Sequence, residues 1–300
     1  NHSCFFLIFL IYKEGRLNGL YTEYYPDSAL YCQGRYVDGL SEGAWYYYNP
    51  DGSMRASLFY TNDKLSGIQK YYTAQGLIYR ENILREGLLL DYTFFGPKGE
   101  ILGKGELEKG SGTLSWNYPN GELAYKADIK NGQYHGKIEA FYPNGQLKQT
   151  GQYAFDEALG EWKWYTIDGI LETKGNFLAG KRQGPWTWWH ENGTIATKST
   201  YEAGEITGQR KDYDEEGNIA SLYNYRDDEY HGAQYNFGED SSVSLIRNYR
   251  YSILESYSYL DKDGKALTDI ALKFGTGKVK SFYVNGKPAQ EYGYKNGKVN

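Results

Sequence analysis

Glycine recurs at a fixed interval along most of this chain of 300 residues. The interval is 24 residues, and a second glycine follows nine positions after the first in nearly every interval. Such a period is typical of a repeat protein, in which each repeat packs only against its neighbours. Positions within a repeat are counted here from the first, or lead, glycine. The lead glycines are Gly19, Gly43, Gly67, Gly112, Gly136, Gly160, Gly184, Gly208 and Gly232, and the interval between Gly67 and Gly112 contains one shortened repeat.

Turn residues divide each repeat into two strands. Sequences such as Pro143-Asn144-Gly145 place a residue suited to positive φ between two apolar runs, which favours a β-hairpin. A Gly or Asp at position +20, such as Gly132, then turns the chain into the next hairpin. The sequence therefore predicts an all-β fold, an elongated antiparallel meander of hairpins in a single twisted sheet, on the order of 100 Å long.

Three positions of the repeat are predicted to form the core. Position +5 is aromatic in almost every repeat, position +11 is aliphatic or Met, and position +17 is large and apolar, as in Tyr48, Met54 and Tyr60. Residues of the same face between +11 and +17 are mostly small or polar, such as Gly151 and Gly175. We expect neighbouring rings to lie across these small residues.

The period also sets the domain organisation. Residues 1–237 are interpreted as tandem hairpin repeats, of which the first is partial. Residues 238–300, where the spacing weakens, are interpreted as degenerate repeats that cap the same array.

Charge and cysteine content exclude some partners and leave the compartment open. The formal net charge is -5 and the charges are interspersed, so no basic surface is expected and nucleic acid is not a predicted partner. Cys4 and Cys32 occupy different repeat positions and predict no disulfide framework. The chain starts at Asn1 without Met, which is compatible with a signal segment upstream and with either a cytoplasmic or an envelope location.

Motifs for catalysis, cofactors or metals are absent from the sequence. It contains no Gly-x-Ser-x-Gly elbow and no phosphate-binding Gly-x-x-x-x-Gly-Lys-Ser/Thr. His135 and His231 occupy the same repeat position four periods apart, so they are not expected to share a metal. We therefore predict a chain that is not an enzyme, with no cofactor and no metal site.

Tryptophan is concentrated at positions +2 and +4, which share one face of the first strand. Other repeats hold polar residues there, such as Gln69 and Asp212. We interpret the aromatic residues as a partner-binding surface, so that alanine at these sites lowers binding more than stability. The alternative is a cross-strand aromatic ladder that only stabilises the sheet. The predicted site residues are Trp45, Tyr47, Trp116, Trp162, Trp164, Trp186 and Trp188.

The repeat resembles the MORN-repeat variant of the bacterial YwqK-type proteins, a family often labelled as antitoxins. Residues 135–147 and residues 184–193, with Gly-x-Trp-x-x-aromatic followed by Asn-Gly, carry the resemblance. It implies an all-β repeat scaffold for association with a protein partner, and it transfers no catalytic residue. Residues 44–54 are also similar to choline- and glucan-binding wall repeats. A module that binds cell-wall glycan or lipid headgroups is therefore the alternative function, and a glycan hydrolase with two facing carboxylates is a third.

Overall fold

The computed structural model describes residues 8–9, 11–238, 242–259, 270–272, 275–282, 287–296 and 298–299. All of their regular secondary structure is β-strand, which confirms the predicted fold class. Among these residues no helix is long and apolar enough to cross a bilayer.

The strands of the first part of the chain form one long sheet and one small sheet. The long sheet has the order β1-β4-β5-β6-β7-β9-β10-β11-β12, with β8 beside β7, and β2 pairs with β3. The strands are β1 (Ile8–Phe9), β2 (Tyr12–Lys13), β3 (Arg16–Leu17), β4 (Gly19–Tyr24), β5 (Leu30–Val37), β6 (Leu40–Tyr48), β7 (Met54–Thr61), β8 (Lys64–Leu65), β9 (Gly67–Tyr72), β10 (Ile78–Arg85), β11 (Leu88–Phe95) and β12 (Ile101–Glu106).

The remaining strands form a second long sheet and a small C-terminal one. The long sheet runs in chain order from β13 to β22 and on through β24, β25, β26 and β27, with β23 beside β22, and the small one has the order β28-β29-β30. The strands are β13 (Gly112–Asn117), β14 (Leu123–Lys130), β15 (Gln133–Phe141), β16 (Leu147–Ala154), β17 (Glu157–Tyr165), β18 (Leu171–Leu178), β19 (Lys181–Trp189), β20 (Ile195–Glu202), β21 (Glu205–Tyr213), β22 (Ile219–Arg226), β23 (Glu229–Tyr230), β24 (Gly232–Phe237), β25 (Val243–Arg250), β26 (Ile253–Tyr259), β27 (Ile270–Ala271), β28 (Gly277–Phe282), β29 (Pro288–Lys295) and β30 (Lys298–Val299).

The chain divides into two compact units. Unit 1 comprises Asn1–Leu147 and Tyr153–Glu157, and unit 2 comprises Lys148–Gln152 and Ala158–Asn300.

Most hairpins among the described residues close with a tight turn that ends in the second glycine, and after β4 Ser28 takes its place with a φ of 70°. In the turn after β15, the Gly145 N–H donates to the Tyr142 carbonyl oxygen at 2.9 Å, and the Tyr142 N–H donates to the Gln146 carbonyl oxygen at 2.8 Å. Gly145 has a φ of 83°, a conformation that costs a residue with a Cβ atom but not glycine. The adjacent strand bulges by one residue, as expected for a type I turn followed by a left-handed residue.

Successive hairpins are joined by two-residue turns that also bond to the preceding repeat. In the turn formed by Asn131 and Gly132, the φ angles are 52° and 82°, as in type I′ turns. The Gly132 N–H donates to the Gly110 carbonyl oxygen at 2.8 Å. Where Asp156 replaces this glycine, its carboxylate accepts a bond from the Tyr134 N–H at 2.7 Å. The Gly or Asp at position +20 therefore ties each repeat to the one before it.

Position +2 is a deeply buried position that the predicted core omitted. The predicted core column at +5, which includes Tyr48 and Tyr165, is only partly buried because it lies at the bulge beside each hairpin turn. Position +2 lies mid-strand and is buried where it holds Leu114, Ile138, Gln or Trp, whereas Tyr21 and Arg210 are only partly buried there. Small residues at +15 face it, as the sequence predicted for rings lying over Gly151 and Gly175.

The meander is not a single sheet, because the ladder of hydrogen bonds stops between β12 and β13. The Tyr92 hydroxyl lies at this break, where it donates to the Thr113 carbonyl oxygen at 3.1 Å and accepts from the Ser115 N–H at 2.9 Å. Tyr92 is buried with Leu107 and Leu114 in one apolar cluster. The side chain thus takes the place of a neighbouring strand for two backbone groups of β13.

The same arrangement recurs 165 positions later, in unit 2. The Tyr257 hydroxyl donates to the Lys278 carbonyl oxygen of β28 at 3.1 Å, and Tyr257 is buried with Leu272 and Val279. The interval from Gly232 to Gly277 is 45 residues, equal to that from Gly67 to Gly112. Part of the segment interpreted as degenerate thus reproduces a defined sheet break, while its capping role stays a prediction.

Candidate functional site

The predicted site residues at position +2 belong to the core. Trp45 is 3% exposed, Trp162 is 4% exposed and Trp186 is 1% exposed. The same position holds Gln69 and Gln234, which are equally buried. Because these indole rings have almost no accessible surface, the partner-binding hypothesis depends on the residues at position +4.

Each buried tryptophan lies flat on a glycine of the preceding hairpin. A Cβ atom built on Gly175 would lie 2.1 Å from the Trp186 ring, and one on Gly151 would lie 2.2 Å from the Trp162 ring. The Trp186 Nε1–H donates to the Asn176 carbonyl oxygen at 3.1 Å. The indole therefore fills the space above the glycine and satisfies a carbonyl at the strand bulge.

Gln69 performs the same task with an amide group. Its Nε2–H donates to the Phe59 carbonyl oxygen at 3.1 Å, and its Oε1 accepts from the Phe59 N–H at 2.8 Å. The exchange of Gln69 for Trp162 or Trp186 is explained by this shared bonding, because both kinds of side chain reach the same bulge. Trp45 fills the space above Gly34 without such a bond.

At position +4 of unit 2, Trp164 and Trp188 are only partly buried. The centroids of Trp162 and Trp164 are 5.7 Å apart, those of Trp164 and Trp186 are 5.9 Å apart, and those of Trp186 and Trp188 are 5.9 Å apart. Such centroid distances are typical of interacting aromatic pairs. The two partly buried rings are therefore held in place by the two buried ones.

Arg182 also packs on this group of rings. Its guanidinium carbon lies 4.6 Å from the centroid of the Trp186 ring and 5.8 Å from that of Trp188. The distances fit cation–π attraction, which fixes the arginine and the rings together. Arg182 has no signal in the repeat pattern, since position −2 holds unrelated residues such as Tyr134 and Ile206 in other repeats.

Beyond Trp188 the row of +4 residues becomes polar. Asp212 accepts a bond from the Thr197 hydroxyl at 2.9 Å and pairs with Arg210 Nε at 2.9 Å. The Asn236 Nδ2–H donates to the Ser221 hydroxyl oxygen at 3.0 Å. The row in unit 2 thus consists of two aromatic positions followed by two hydrogen-bonded polar ones.

In unit 1, Tyr47 occupies position +4 beside the buried Trp45. Its ring centroid lies 6.5 Å from that of Trp45, and the Arg55 guanidinium carbon lies 5.9 Å from the Tyr47 ring. Burial raises the pKa of the Tyr47 hydroxyl, with a further contribution from its hydrogen bond to Tyr60. Tyr47 is therefore a neutral, partly buried phenol at physiological pH.

Trp116 packs beside the sheet break in unit 1. Its ring centroid lies 4.4 Å from that of Phe94 and 4.3 Å from that of Tyr125. Both distances are short, so Trp116 is packed between two rings next to the cluster of Tyr92. The structure thus places Trp116 in a packing role and brings Trp162, Trp164, Trp186 and Trp188 together.

His135 and His231 pack in separate places and do not share a site. The His135 ring centroid lies 4.6 Å from that of Phe155, and the His231 ring centroid lies 4.8 Å from that of Tyr251. Each histidine is thus packed on the first residue of the following connecting turn. In the part of the chain that the structure describes, no three His, Cys, Asp or Glu residues are close enough to hold a metal ion.

Solved structures give only weak likenesses. A chain in the crystal structure of TcdB2-TccC3-Cdc42 is 10% identical over 97% of this chain and 21% of its own length, with a TM-score of 0.15. A chain in the crystal structure of TcdB2-TccC3 is 13% identical over 94% of this chain and 18% of its own, with a TM-score of 0.16. This chain thus spans about a fifth of the solved chains it matches. At these scores the likeness carries no inference, and comparison with curated proteins finds no match.

Comparison with protein families gives a definite result. The profile described as the MORN repeat variant matches residues 111–131, 134–154, 182–203, 206–227 and 276–296. The last match lies within the segment interpreted as degenerate. Repeats of this kind are generally protein- or membrane-binding modules. Five segments of this chain therefore match the MORN repeat variant, as the resemblance in its sequence predicted.

Proposed function

We propose that this chain is a non-enzymatic repeat scaffold that binds a protein partner through Trp164 and Trp188, here called the tryptophan pair. The observation that carries the proposal is that position +4 is not fixed by folding. The same position holds Ala140 and Asp212 in repeats whose strands have the same bounds relative to the lead glycine. Tryptophan at two successive positions therefore serves something other than the backbone.

The packing around the tryptophan pair suits it to partner recognition. Trp164 and Trp188 keep part of their surface accessible. The buried rings of Trp162 and Trp186 and the guanidinium group of Arg182 pack against them. Rings that are already immobile lose little conformational entropy when a partner covers them. Tryptophan is also enriched among the residues that dominate binding energy at protein interfaces.

The test uses substitutions that the fold already accepts. Trp164→Ala reproduces Ala140, and Trp188→Asp reproduces Asp212. We expect the double variant to keep its circular-dichroism spectrum. Wild type should capture a protein from the native host, and the double variant should capture at most about a tenth as much of that protein. The captured protein is identified by mass spectrometry, and its affinity for both forms is measured by calorimetry.

The matched control removes charge from the opposite face of the same sheet, in β17 and the neighbouring β18. Lys163→Ala and Lys174→Ala remove two ion pairs to Glu161, and we expect capture to persist. Equal capture by wild type and the Trp164→Ala, Trp188→Asp variant would refute the proposal.

Binding of wild type to anionic liposomes or to bacterial wall, abolished in the same variant, would instead favour the lipid-headgroup or glycan function. The resemblance to YwqK-type proteins supports a toxin as one candidate for the captured protein.

A further inference from the structure

A second surface lies on the other side of the sheet in unit 1. Positions +1 and +16 point away from the buried +2 residues because side chains alternate along a strand. In β4 to β10 of unit 1, four of these six positions hold large apolar residues, here called the apolar stripe: Leu20, Phe59, Ile68 and Ile83. The other two hold Arg35 and Ala44. The exposed fractions of the four stripe residues are 53%, 42%, 50% and 39%. Four apolar side chains thus face outward across β4 to β10.

The rest of the chain shows that the fold does not require apolar residues there. In unit 2 the same positions include the polar Glu161, Asn176, Gln209 and Asn224, and where they are apolar they hold only the small Pro185 and Ala233. These residues lie in strands with the same pairing, since Glu161 faces Asn176 and Gln209 faces Asn224 as Ile68 faces Ile83. Exposed large apolar residues at positions where this same chain elsewhere uses polar or small ones indicate a binding surface.

The dimensions of the apolar stripe select one kind of occupant. The stripe crosses six adjacent strands, β4 to β7 with β9 and β10, so it is about 24 Å long at about 4.8 Å per strand. The next row, at positions +3 and +14, holds Tyr46 and otherwise polar residues, including the Lys70–Glu81 ion pair. Beside β9 and β10 the stripe is therefore a single residue wide. An α-helix of about 16 residues has this length, and its apolar side chains recur about every 5 Å along one face.

Area and charge favour a helix, and not a second copy of this chain, as the occupant of the stripe. The four side chains expose roughly 400 Å² in total, whereas a stable protein pair buries about 800 Å² on each side. Arg35 lies in the same row between Leu20 and Phe59, is exposed, and makes no ion pair among the described residues. A carboxylate on the helix would complement it.

We propose that the apolar stripe binds an amphipathic α-helix of a protein partner, with an acidic residue of that helix facing Arg35. The helix covers Phe59, Ile68 and Ile83 with one apolar face and leaves its polar face in water. This surface is independent of the tryptophan pair, which lies in the other long sheet.

The test measures, by fluorescence anisotropy, the binding of a synthetic amphipathic helical peptide of about 18 residues. The peptide carries Leu along one face and a single Glu at the edge of that face. We expect saturable one-to-one binding by wild type, and no binding of a scrambled peptide of the same composition. The variant Phe59→Asn with Ile68→Gln, which copies Asn176 and Gln209, should keep its melting temperature and bind about tenfold more weakly or worse. Arg35→Gln should weaken binding of the Glu peptide but not of a Gln analogue.

The control variant Trp164→Ala with Trp188→Asp should bind the peptide as wild type does. The proposal is overturned if wild type and the Phe59→Asn, Ile68→Gln variant bind the peptide equally, or if neither binds it. It is also overturned if light scattering shows a dimer that this variant dissolves, which would make a second copy the occupant. Sedimentation with phosphatidylserine vesicles that depends on the same residues would overturn it by assigning the apolar stripe to a membrane.

Discussion

At the scale of single residues, the chain matches the size of position +2 to that of position +15 in the preceding repeat. A glycine at +15 lies under each of three tryptophans at +2. Where the residue at +15 is larger, the residue at +2 of the next repeat is smaller or more flexible. The three glycine–tryptophan pairs show why the sizes must match, because a Cβ atom on any of these glycines would lie 2.0–2.2 Å from the ring. The pairs are Gly34 with Trp45, Gly151 with Trp162, Gly175 with Trp186, Ala127 with Ile138, Ser199 with Arg210, Leu58 with Gln69 and Tyr223 with Gln234.

We predict that Gly175→Ala lowers the free energy of unfolding by about 1–3 kcal/mol, because the added methyl group overlaps the Trp186 ring. Urea unfolding followed by tryptophan fluorescence measures the change. The same substitution at Gly180, whose Cβ would meet no atom within 4 Å, controls for steric overlap, although its positive φ adds a backbone cost.

A paired exchange tests whether size matching is the cause. Gly175→Leu with Trp186→Gln reproduces the pair of Leu58 and Gln69. We expect the double variant to be more stable than either single variant, with a coupling energy above about 1 kcal/mol. Additive effects of the two substitutions would contradict the rule.

The sequence could reveal some of these pairs but not their meaning. The small residues at +15 were recognised as a platform for rings, and this is confirmed. The prediction that the rings lying on them form a surface is wrong for position +2, because a position that alternates between Trp and Gln has the pattern of an unconstrained one. The shared hydrogen bonds of Trp186 and Gln69 to the bulge depend on backbone geometry, which residue spacing does not encode.

At the scale of strands, a sheet break is built from one tyrosine. Tyr92 supplies a hydroxyl group that both donates and accepts, so it satisfies two backbone groups of β13 at the break. Gly103 allows β12 to approach closely, since a Cβ atom there would lie 2.4 Å from the Ser115 carbonyl oxygen. The shortened repeat between Gly67 and Gly112 indicates an irregularity at this point of the sequence. The spacing of residues does not indicate that a tyrosine side chain bonds to the first strand of the next sheet.

We predict that Tyr92→Phe costs about 1–3 kcal/mol, because it leaves the partly buried Ser115 N–H without its acceptor. Hydrogen exchange should become faster at Ser115 and stay unchanged in β20 and β21. Tyr79→Phe is the control, since that ring is 44% exposed. Tyr257→Phe should also lower stability, because it leaves the Lys278 carbonyl oxygen without the donor that it has at the second break. An unchanged exchange rate at Ser115 in the Tyr92→Phe variant would contradict the prediction.

At the scale of the whole molecule, the glycine period predicted the all-β hairpin meander, and this is confirmed. Turn chemistry sufficed because each turn needs a residue suited to positive φ, which few residue types supply. The division into two long sheets was not predicted, since it depends on the buried tyrosine clusters. Of the candidate site, spacing identified Trp164 and Trp188 but not Arg182 or the burial of Trp162.

Deleting a whole repeat should be tolerated only where the new neighbours match in size. Removal of residues 160–183 brings Gly151 under Trp186, which restores a glycine–tryptophan pair. Removal of residues 208–231 brings Ser199 under Gln234, a pair found nowhere else in the chain. We expect the first deletion to retain cooperative thermal unfolding and the second to melt about 5 °C lower or more, since an underfilled core costs several kcal/mol. Calorimetry measures both, and equal melting temperatures would refute the expectation.

The connecting turns give the array a direction that matters during synthesis. The Gly39 N–H donates to the Leu17 carbonyl oxygen, the Gly180 N–H to that of Ala158, and the Gly204 N–H to that of Arg182. In each of these turns the later residue is the donor and the earlier one the acceptor. A hairpin that leaves the ribosome therefore meets acceptors already placed by its predecessor, so the chain can fold by addition as it is translated.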